Sequence, residues 1–402
     1  MHTHSPFKDR TQLEEARHRL EDRVAAHDRT ERVPLTAAAG RVLAETVTAD
    51  RAVPHYARAA MDGYAVRAED TFGAGDRSPS ILRAASGAVT AGEAVQVHTG
   101  SELPPGADAV VMVEQVEEVG DELEVFDAVA GGENVAPVGE DVEAGEVLYD
   151  AGHRLRPSDL GLLKSVGHRE VRVPERPTVS VVPTGEELVD ADPDPGEVVE
   201  TNALTASRYV EAWGGTATYR DVVTDDVDAL RDAIERDTDH DVVVTTGGSS
   251  VGERDLIVDV VGDLGEVVVH GVAIKPGHPV GAGVVEDTPV VMLPGYPVSC
   301  IVTAVQLLRP VLKRAGGLPT STFPATDARL AEKIRSEPGL RSFARVRVEE
   351  RDGERVATRV RESGAGVLSS VGMADGWVVV PEGREGVDAG ETVTVENWEW
   401  SA

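Results

Sequence analysis

Between residues 242 and 255 a β-branched run, Val242-Val243-Val244-Thr245-Thr246, breaks into Gly247-Gly248-Ser249-Ser250-Val251-Gly252-Glu253-Arg254-Asp255. A strand that ends in two glycines and small hydroxylated residues leaves backbone N–H groups free to point at phosphate oxygens where a helix begins. Asp255 closes the stretch where a carboxylate could hold a divalent cation against bound phosphates, because hard cations prefer oxygen ligands. A second run, Thr178 to Pro183, leads into Thr184-Gly185-Glu186-Glu187-Leu188 and carries two carboxylates just past its C-terminal end. A third, Pro289 to Leu293, leads into Pro294-Gly295-Tyr296-Pro297-Val298-Ser299. Pro297 suits a first helical turn, and Ser299 offers a hydroxyl beside free N–H groups. Ligands of open α/β sheets bind outside the carboxyl ends of the strands, so such loops can face one anionic ligand. Before the third run comes Ile274-Lys275-Pro276-Gly277-His278-Pro279, with one of only five lysines in the chain. The alternatives are ligand-free strand-to-helix turns for the glycine loops and a solvated surface charge for Lys275.

These loops need a rigid frame, and the chain is long enough to build one. Its 402 residues suggest three or four domains, and 41% hydrophobic content supports globular cores. Aromatic residues are only 4% of the chain, so packing should be mainly aliphatic. The net charge of −32, from 71 acidic and 39 basic residues spread along the whole chain, fits adaptation to a salty cytoplasm and disfavours nucleic acid as a partner. A single cysteine, Cys300, excludes an intramolecular disulfide and any multi-cysteine metal site, and is expected to pack as a small core residue. The N-terminus is polar, and no signal peptide is expected. No apolar run approaches the roughly 18 residues of a spanning helix, so a cytoplasmic protein without membrane attachment is expected.

Periodicity divides the chain. Leu13, Ala16, Leu20 and Val24 mark an amphipathic helix, and an Ala-rich second helix is expected around Leu35 to Leu43. Residues 8–49 are expected to join 141–172, which carries a capped helix from Pro157, in an N-terminal linker domain. Residues 50–140 show short β-runs between Gly and Pro and read as an inserted small β domain. From 173 to 318, strands alternate with helical stretches, Leu204 to Trp213, Val227 to Glu235 and Val298 to Leu308, the signature of βαβ units and a parallel sheet. Residues 322–402 turn β-rich again and read as a closing C-terminal β domain.

The insert contains Met61-Asp62-Gly63-Tyr64-Ala65, by itself a turn between strands. Together with His98-Thr99-Gly100, Gly139-Glu140-Asp141, Thr184 to Leu188, the Gly247 to Asp255 cradle, Lys275-Pro276-Gly277 and Pro294 to Ser299, it resembles the molybdopterin molybdenumtransferase family, called MoeA in bacteria and represented in animals by the gephyrin E domain. Seven motifs in the family's order span nearly the full chain. The resemblance implies a multidomain α/β protein: a three-layer molybdopterin-binding domain with a parallel sheet, an inserted small β domain, an N-terminal helical or extended domain and a C-terminal β-barrel-like domain. It implies an enzyme that takes adenylylated molybdopterin and molybdate, or tungstate, cleaves the pyrophosphate bond and releases AMP. Mg²⁺, a homodimer and delivery of substrate by a molybdopterin adenylyltransferase go with it. The other readings are that adenylyltransferase activity itself, or a non-catalytic scaffold.

By matching motif, the resemblance implies that Thr184, Gly185, Gly247, Gly248 and Ser249 cradle phosphate or pterin, while Glu187 and Asp255 hold Mg²⁺ or position water. Asp225 would add a carboxylate, although it also suits a helix N-cap. Asp62, Thr99 and Asp141 would come from the facing subunit. Lys275, Ser299, Arg345 and Ser370 (or Ser369) would surround the oxyanion beside Pro294, Gly295 and Pro297, because charge-assisted donors suit a tetrahedral dianion. Arg345 also fits a strand-edge charge. The chain departs from the family in three places. Ala136-Pro137-Val138 replaces basic residues before Gly-Glu-Asp, His278 replaces a lysine, and Tyr296 stands where Asn is common.

Overall fold

The computed structural model describes residues 10–247, 255–360 and 366–400. It divides into two units, Arg32–Val173 and a larger one formed by Met1–Glu31 with Pro174–Ala402.

The frame of the larger unit is a six-stranded sheet of β1 (Thr178–Pro183), β2 (Thr216–Tyr219), β3 (Val242–Thr246), β4 (Gly265–His270), β5 (Gly281–Val285) and β6 (Thr288–Leu293), in the spatial order β2-β1-β3-β6-β5-β4. Every residue of β3 and β6 is buried, as expected for strands covered on both faces. Alternate residues feed different cores. Val242 and Val244 join the cluster that holds Leu13, Val210 and Leu308, whereas Val243 joins the one that holds Ile234 and Ile257. The helices concerned are α1 (Leu13–Glu21), α2 (Asn202–Ala212), α3 (Val227–Arg236), α4 (Leu256–Leu264) and α5 (Pro297–Thr303). After α5 the chain continues through a π-helical turn, Ala304–Leu308, into Arg309–Ala315, so this helical stretch outruns its expected end at Leu308.

Two expectations need correction. The sheet is mixed rather than parallel: β2, β1, β3 and β6 run parallel, but β5 is antiparallel to both β6 and β4. Only the two residues Glu286 and Asp287 separate β5 from β6, with Glu286 at φ 55°, and so short a link permits only an antiparallel hairpin. In the smaller unit the Ala-rich stretch forms a single 3₁₀ turn, Leu35–Ala37, instead of a helix. Its backbone is claimed by distant partners: Leu35 N–H donates to Arg169 O, Gly40 N–H to Leu155 O and Leu43 N–H to His153 O. Tertiary pairing overrides the helix propensity of alanine there.

After the α/β sheet come β7 (Ala325–Leu330), β8 (Arg341–Arg351), β9 (Glu354–Arg359), β10 (Gly376–Val380) and β11 (Thr392–Glu396). Pairing runs β8-β9-β7-β11-β10 and returns from β10 to β8, which closes a five-stranded barrel. Ala344, Val346, Val378 and Val380 fill its interior. Phe343 and Trp377 point the other way, into the cluster of the α/β sheet. The two-residue strand Ile274–Lys275 pairs with Arg341 and Ser342 of β8, which places the lysine loop beside the barrel.

The smaller unit holds a six-stranded sheet in which Gly63–Val66 lies between Glu93–Val97 and Ala109–Met112, antiparallel to both. A Cβ at Gly63 would lie 1.9 Å from Val111 O, so strand contact demands glycine at this point of the motif. Among the described residues no helix is long and apolar enough to cross a membrane.

One buried charge fixes β1 to its surroundings. Asp237, fully buried, accepts hydrogen bonds from Ser180 Oγ (2.7 Å), Arg236 Nη2 (2.8 Å) and Arg220. Burial pushes its carboxyl up, but the hydrogen bonds from Arg236, Ser180 and Arg220 outweigh that and bring it down to about 2 from 3.8. A depressed carboxyl contributes stability above its unfolded pKa and loses it as pH falls through the folded one, here roughly 2 kcal/mol between about pH 4 and pH 2. Asp237→Asn is therefore expected to destabilise the protein near neutral pH, with the gap to wild type closing as denaturant titrations approach about pH 2.

Candidate functional site

The C-terminal ends of β1, β3 and β6 converge because one residue there has no side chain. Gly247, at φ 122°, directs its missing Cβ to within 2.1 Å of Thr184 O, and its N–H donates to Leu293 O at 3.1 Å. Thr184 N–H in turn donates to Thr246 O at 3.1 Å. The hydroxyls of Thr184, Thr245 and Thr246 are buried without a hydrogen-bond partner among the described residues. Asn202, the first residue of α2, donates from Nδ2 to Gly295 O at 2.7 Å and pins the Pro294 loop. Gly277 lets the Lys275 loop lie against α5, since a Cβ there would sit 2.6 Å from Thr303 Cγ2.

These loops and the barrel enclose a cavity of about 1030 Å³. The α/β side contributes Glu187, Gly247, Lys275 to Pro279, Pro294 to Pro297, and Ser299; the barrel side contributes Ser342 to Arg345 and Arg359, with Arg335 from the segment before β8. In a chain of net charge −32, four cationic side chains on one cavity mark a place for an anion. Arg345 is buried. It donates from Nε to Ser370 Oγ (3.2 Å) and from Nη1 to Phe343 O (3.2 Å), so it is no strand-edge charge, and the two residues expected to share the oxyanion do meet. Lys275 Nζ lies 2.6 Å from Glu337 Oε1. His278 has its pKa lowered, chiefly by burial and then by Arg10 and Lys275 against the opposing charge of Glu337, so it remains neutral near pH 7.

The carboxylates are more dispersed. Glu187 lines the cavity; Asp225 and Asp255 are not among its described lining residues, nor are Thr184, Gly185 or Ser370. The cap of α3 is Asp226, whose side chain accepts from Asp228 N–H and Ala229 N–H, so Asp225 is free of that duty. Partial desolvation and then the charges of Glu187 and Glu186 push the Asp225 carboxyl up, which places all three in one electrostatic neighbourhood. Both oxygens of Asp255 are buried without a hydrogen-bond partner among the described residues, and His270 Nε2 lies 3.4 Å from Oδ2. Among the described residues no three His, Cys, Asp or Glu side chains form a group able to hold a metal ion. Gly248 and Ser249 lie outside the described residues.

In the smaller unit, pairing of Gly63 with Val97 brings the ends of two strands together. Asp62 Oδ1 there accepts from Thr99 N–H (2.6 Å) and Thr99 Oγ1 (2.8 Å), and both bonds lower the pKa of its carboxyl. Asp141 is exposed, with its N–H donated to Val53 O at 2.9 Å. Sequence inspection missed Arg335, Arg359, His270, Asn202 and Glu337. None stands in a recognisable motif, and each reaches its partners only through long-range packing.

Three family models match the chain: the MoeA N-terminal region (domain I and II) over residues 11–167, a probable molybdopterin binding domain over 180–314, and the MoeA C-terminal region (domain IV) over 327–398. The molybdopterin molybdenumtransferase of Bacillus subtilis is 32% identical over 92% of this chain and 92% of its own length. Molybdopterin molybdenumtransferase 2 of Mycobacterium tuberculosis is 34% identical over 90% of this chain and 94% of its own. Two crystal structures of molybdopterin biosynthesis MoeA proteins from Pyrococcus horikoshii superpose with TM-scores of 0.86 and 0.74. They are 35% and 32% identical and cover 97% and 96% of this chain, which covers 99% and 100% of theirs.

The convergence at Gly247 can be tested directly. Gly247→Ala combines a backbone clash with a conformation that L residues avoid, and is expected to cost ~2 kcal/mol or more in urea unfolding. Gly132→Ala, also at positive φ but with nothing within 4 Å of its Cβ, should cost about 1 kcal/mol.

Proposed function

From the premise that the chain belongs to the MoeA family of molybdopterin molybdenumtransferases, we propose that it inserts molybdate or tungstate into adenylylated molybdopterin in molybdenum cofactor biosynthesis, with cleavage of the pyrophosphate bond and release of AMP. The observation that carries this is the cationic cavity: Lys275 and Arg345 line one cleft with Ser299 and Gly247 in an otherwise strongly acidic chain. Water adding to one phosphorus breaks its bond to the bridging oxygen, and charge accumulates on the phosphoryl oxygens. Fixed N–H donors and cations stabilise that charge without reorganising during the reaction.

Burial and then the charges of Glu187 and Glu186 raise the cost of ionising Asp225, and the Asp255 carboxylate is buried without a hydrogen bond among the described residues; both features suit oxygen ligands of a hard cation. Glu187 and Asp255 would each offer oxygen ligands to Mg²⁺, with water and phosphate completing its shell and Asp225 a further carboxylate nearby. When bound, the ion neutralises charge on the pyrophosphate. Arg345, oriented by Ser370, would hold the oxyanion together with Lys275. In a homodimer, Asp62, Thr99 and Asp141 of one subunit would serve the cavity of the other. Thr99 keeps the Asp62 carboxylate ionised and aimed, as a water-positioning group requires. The chain would work in the cytoplasm and receive its pterin from an adenylyltransferase.

An AMP-release assay with adenylylated molybdopterin, Mg²⁺ and either oxyanion decides the matter. Wild type is expected to release AMP only with oxyanion present. Asp62→Asn and Glu187→Gln should each lower kcat on the order of a hundredfold or more. Formation of adenylylated pterin from ATP and molybdopterin, without AMP release, would reassign the protein as the adenylyltransferase; silence in both assays would favour a scaffold.

The charge of −32 gives a separate expectation, that of a salt-adapted protein. Screening relieves self-repulsion, so Tm should rise as KCl increases from about 0.1 M to about 2 M. A flat or falling Tm would contradict adaptation to salt.

A further inference from the structure

The cavity lysine already carries an anion. Glu337 opens the turn Glu337-Pro338-Gly339-Leu340, closed by Leu340 N–H donating to Glu337 O at 3.1 Å, with Gly339 at φ 86°. The turn lies between the two-residue strand Ile334–Arg335 and β8, and β8 pairs with Ile274–Lys275, so the backbones that carry Glu337 and Lys275 are held beside each other. The side chains close the remaining gap at 2.6 Å. Arg10 also faces the carboxylate electrostatically. Glu337 therefore occupies the ammonium of Lys275, as a substrate anion would.

We propose that Glu337 is a built-in competitor for the oxyanion at Lys275, covering the lysine until a dianion displaces it. The proposal rests on the oxyanion role of Lys275. Magnitudes favour displacement over a fixed structural pair. Both side chains are more than half exposed, 55% for Lys275 and 64% for Glu337, and exposed pairs hold weakly and are screened by salt. A tetrahedral dianion brings twice the charge and can engage Arg345 together with Lys275. The competitor sets the oxyanion concentration at which the site fills, with no effect on the pterin or on the chemical step.

The test measures the KM for molybdate and for adenylylated molybdopterin in Glu337→Gln, Lys275→Ala and the double variant. Competition predicts that Glu337→Gln lowers the oxyanion KM on the order of two- to fivefold at low salt, with the pterin KM and kcat unchanged. The gap should close at high salt. In the Lys275→Ala background the same change should have no effect. A raised oxyanion KM in Glu337→Gln would show that the carboxylate positions Lys275 and would overturn the proposal. So would an unchanged KM, or an improvement that persists without Lys275, which would reflect general loss of negative charge. If wild type releases no AMP with either oxyanion, the insertase assignment fails separately. Tungstate calorimetry on the same proteins then decides: tighter binding by Glu337→Gln supports competition, and equal or weaker binding overturns it.

Discussion

The candidate site exists because the barrel is held against the α/β sheet by aromatic packing, in a chain where aromatic residues are only 4%. Trp377 stacks on Trp398 with ring centroids 4.5 Å apart, and Phe343 meets Trp377 edge-on at 5.0 Å. Tyr209 of α2 stacks on Trp213 and donates its hydroxyl to Glu399 Oε1 at 2.6 Å, which ties the helix to the segment after β11. Truncating one such buried ring typically costs ~3–5 kcal/mol, whereas an exposed ion pair such as Lys275–Glu337 contributes about 1 kcal/mol at most. Apolar burial thus sets where the walls of the cavity stand, and charge decides only what enters.

That division shows in the cations themselves. Arg345 belongs to β8, is buried, and has Nε and Nη1 engaged by Ser370 and Phe343, so it cannot adjust to whatever arrives. Lys275 ends the two-residue strand Ile274–Lys275, is more than half exposed, and meets the carboxylate of Glu337. His278 contributes bulk and polarity rather than charge near neutral pH, because burial holds it neutral. One fixed guanidinium and one exposed, mobile ammonium thus stand on the same cavity.

Backbone approach is the second constraint. Gly247 and Gly63 stand in different units, yet each occurs where a neighbouring carbonyl leaves no room for a Cβ, 2.1 Å away at Gly247 and 1.9 Å at Gly63. At Gly247 the result is a tight turn whose threonine hydroxyls are buried without partners among the described residues. At Gly63 it is a strand pairing that delivers Asp62 to Thr99. In both cases the motif glycine serves the frame, and polar side chains adjoin it.

By itself the sequence determined the glycine- and proline-containing loops and the strands that carry them, because β-branched runs ending in Gly and Pro encode strand, turn and helix start locally. It also marked Lys275, Glu187 and Asp62 through short motifs. It could not show that Leu35 to Leu43 forgoes a helix, since the backbone partners Arg169, Leu155 and His153 lie more than a hundred residues away in the chain. Nor could it show the antiparallel turn of β5, because strand direction follows from which edges meet. Only tertiary structure set Arg359 in the cavity wall, Asp226 rather than Asp225 as the helix cap, and Glu337 on Lys275. Local patterns report conformation, while charge pairing and enclosure depend on distances between segments that no linear spacing records.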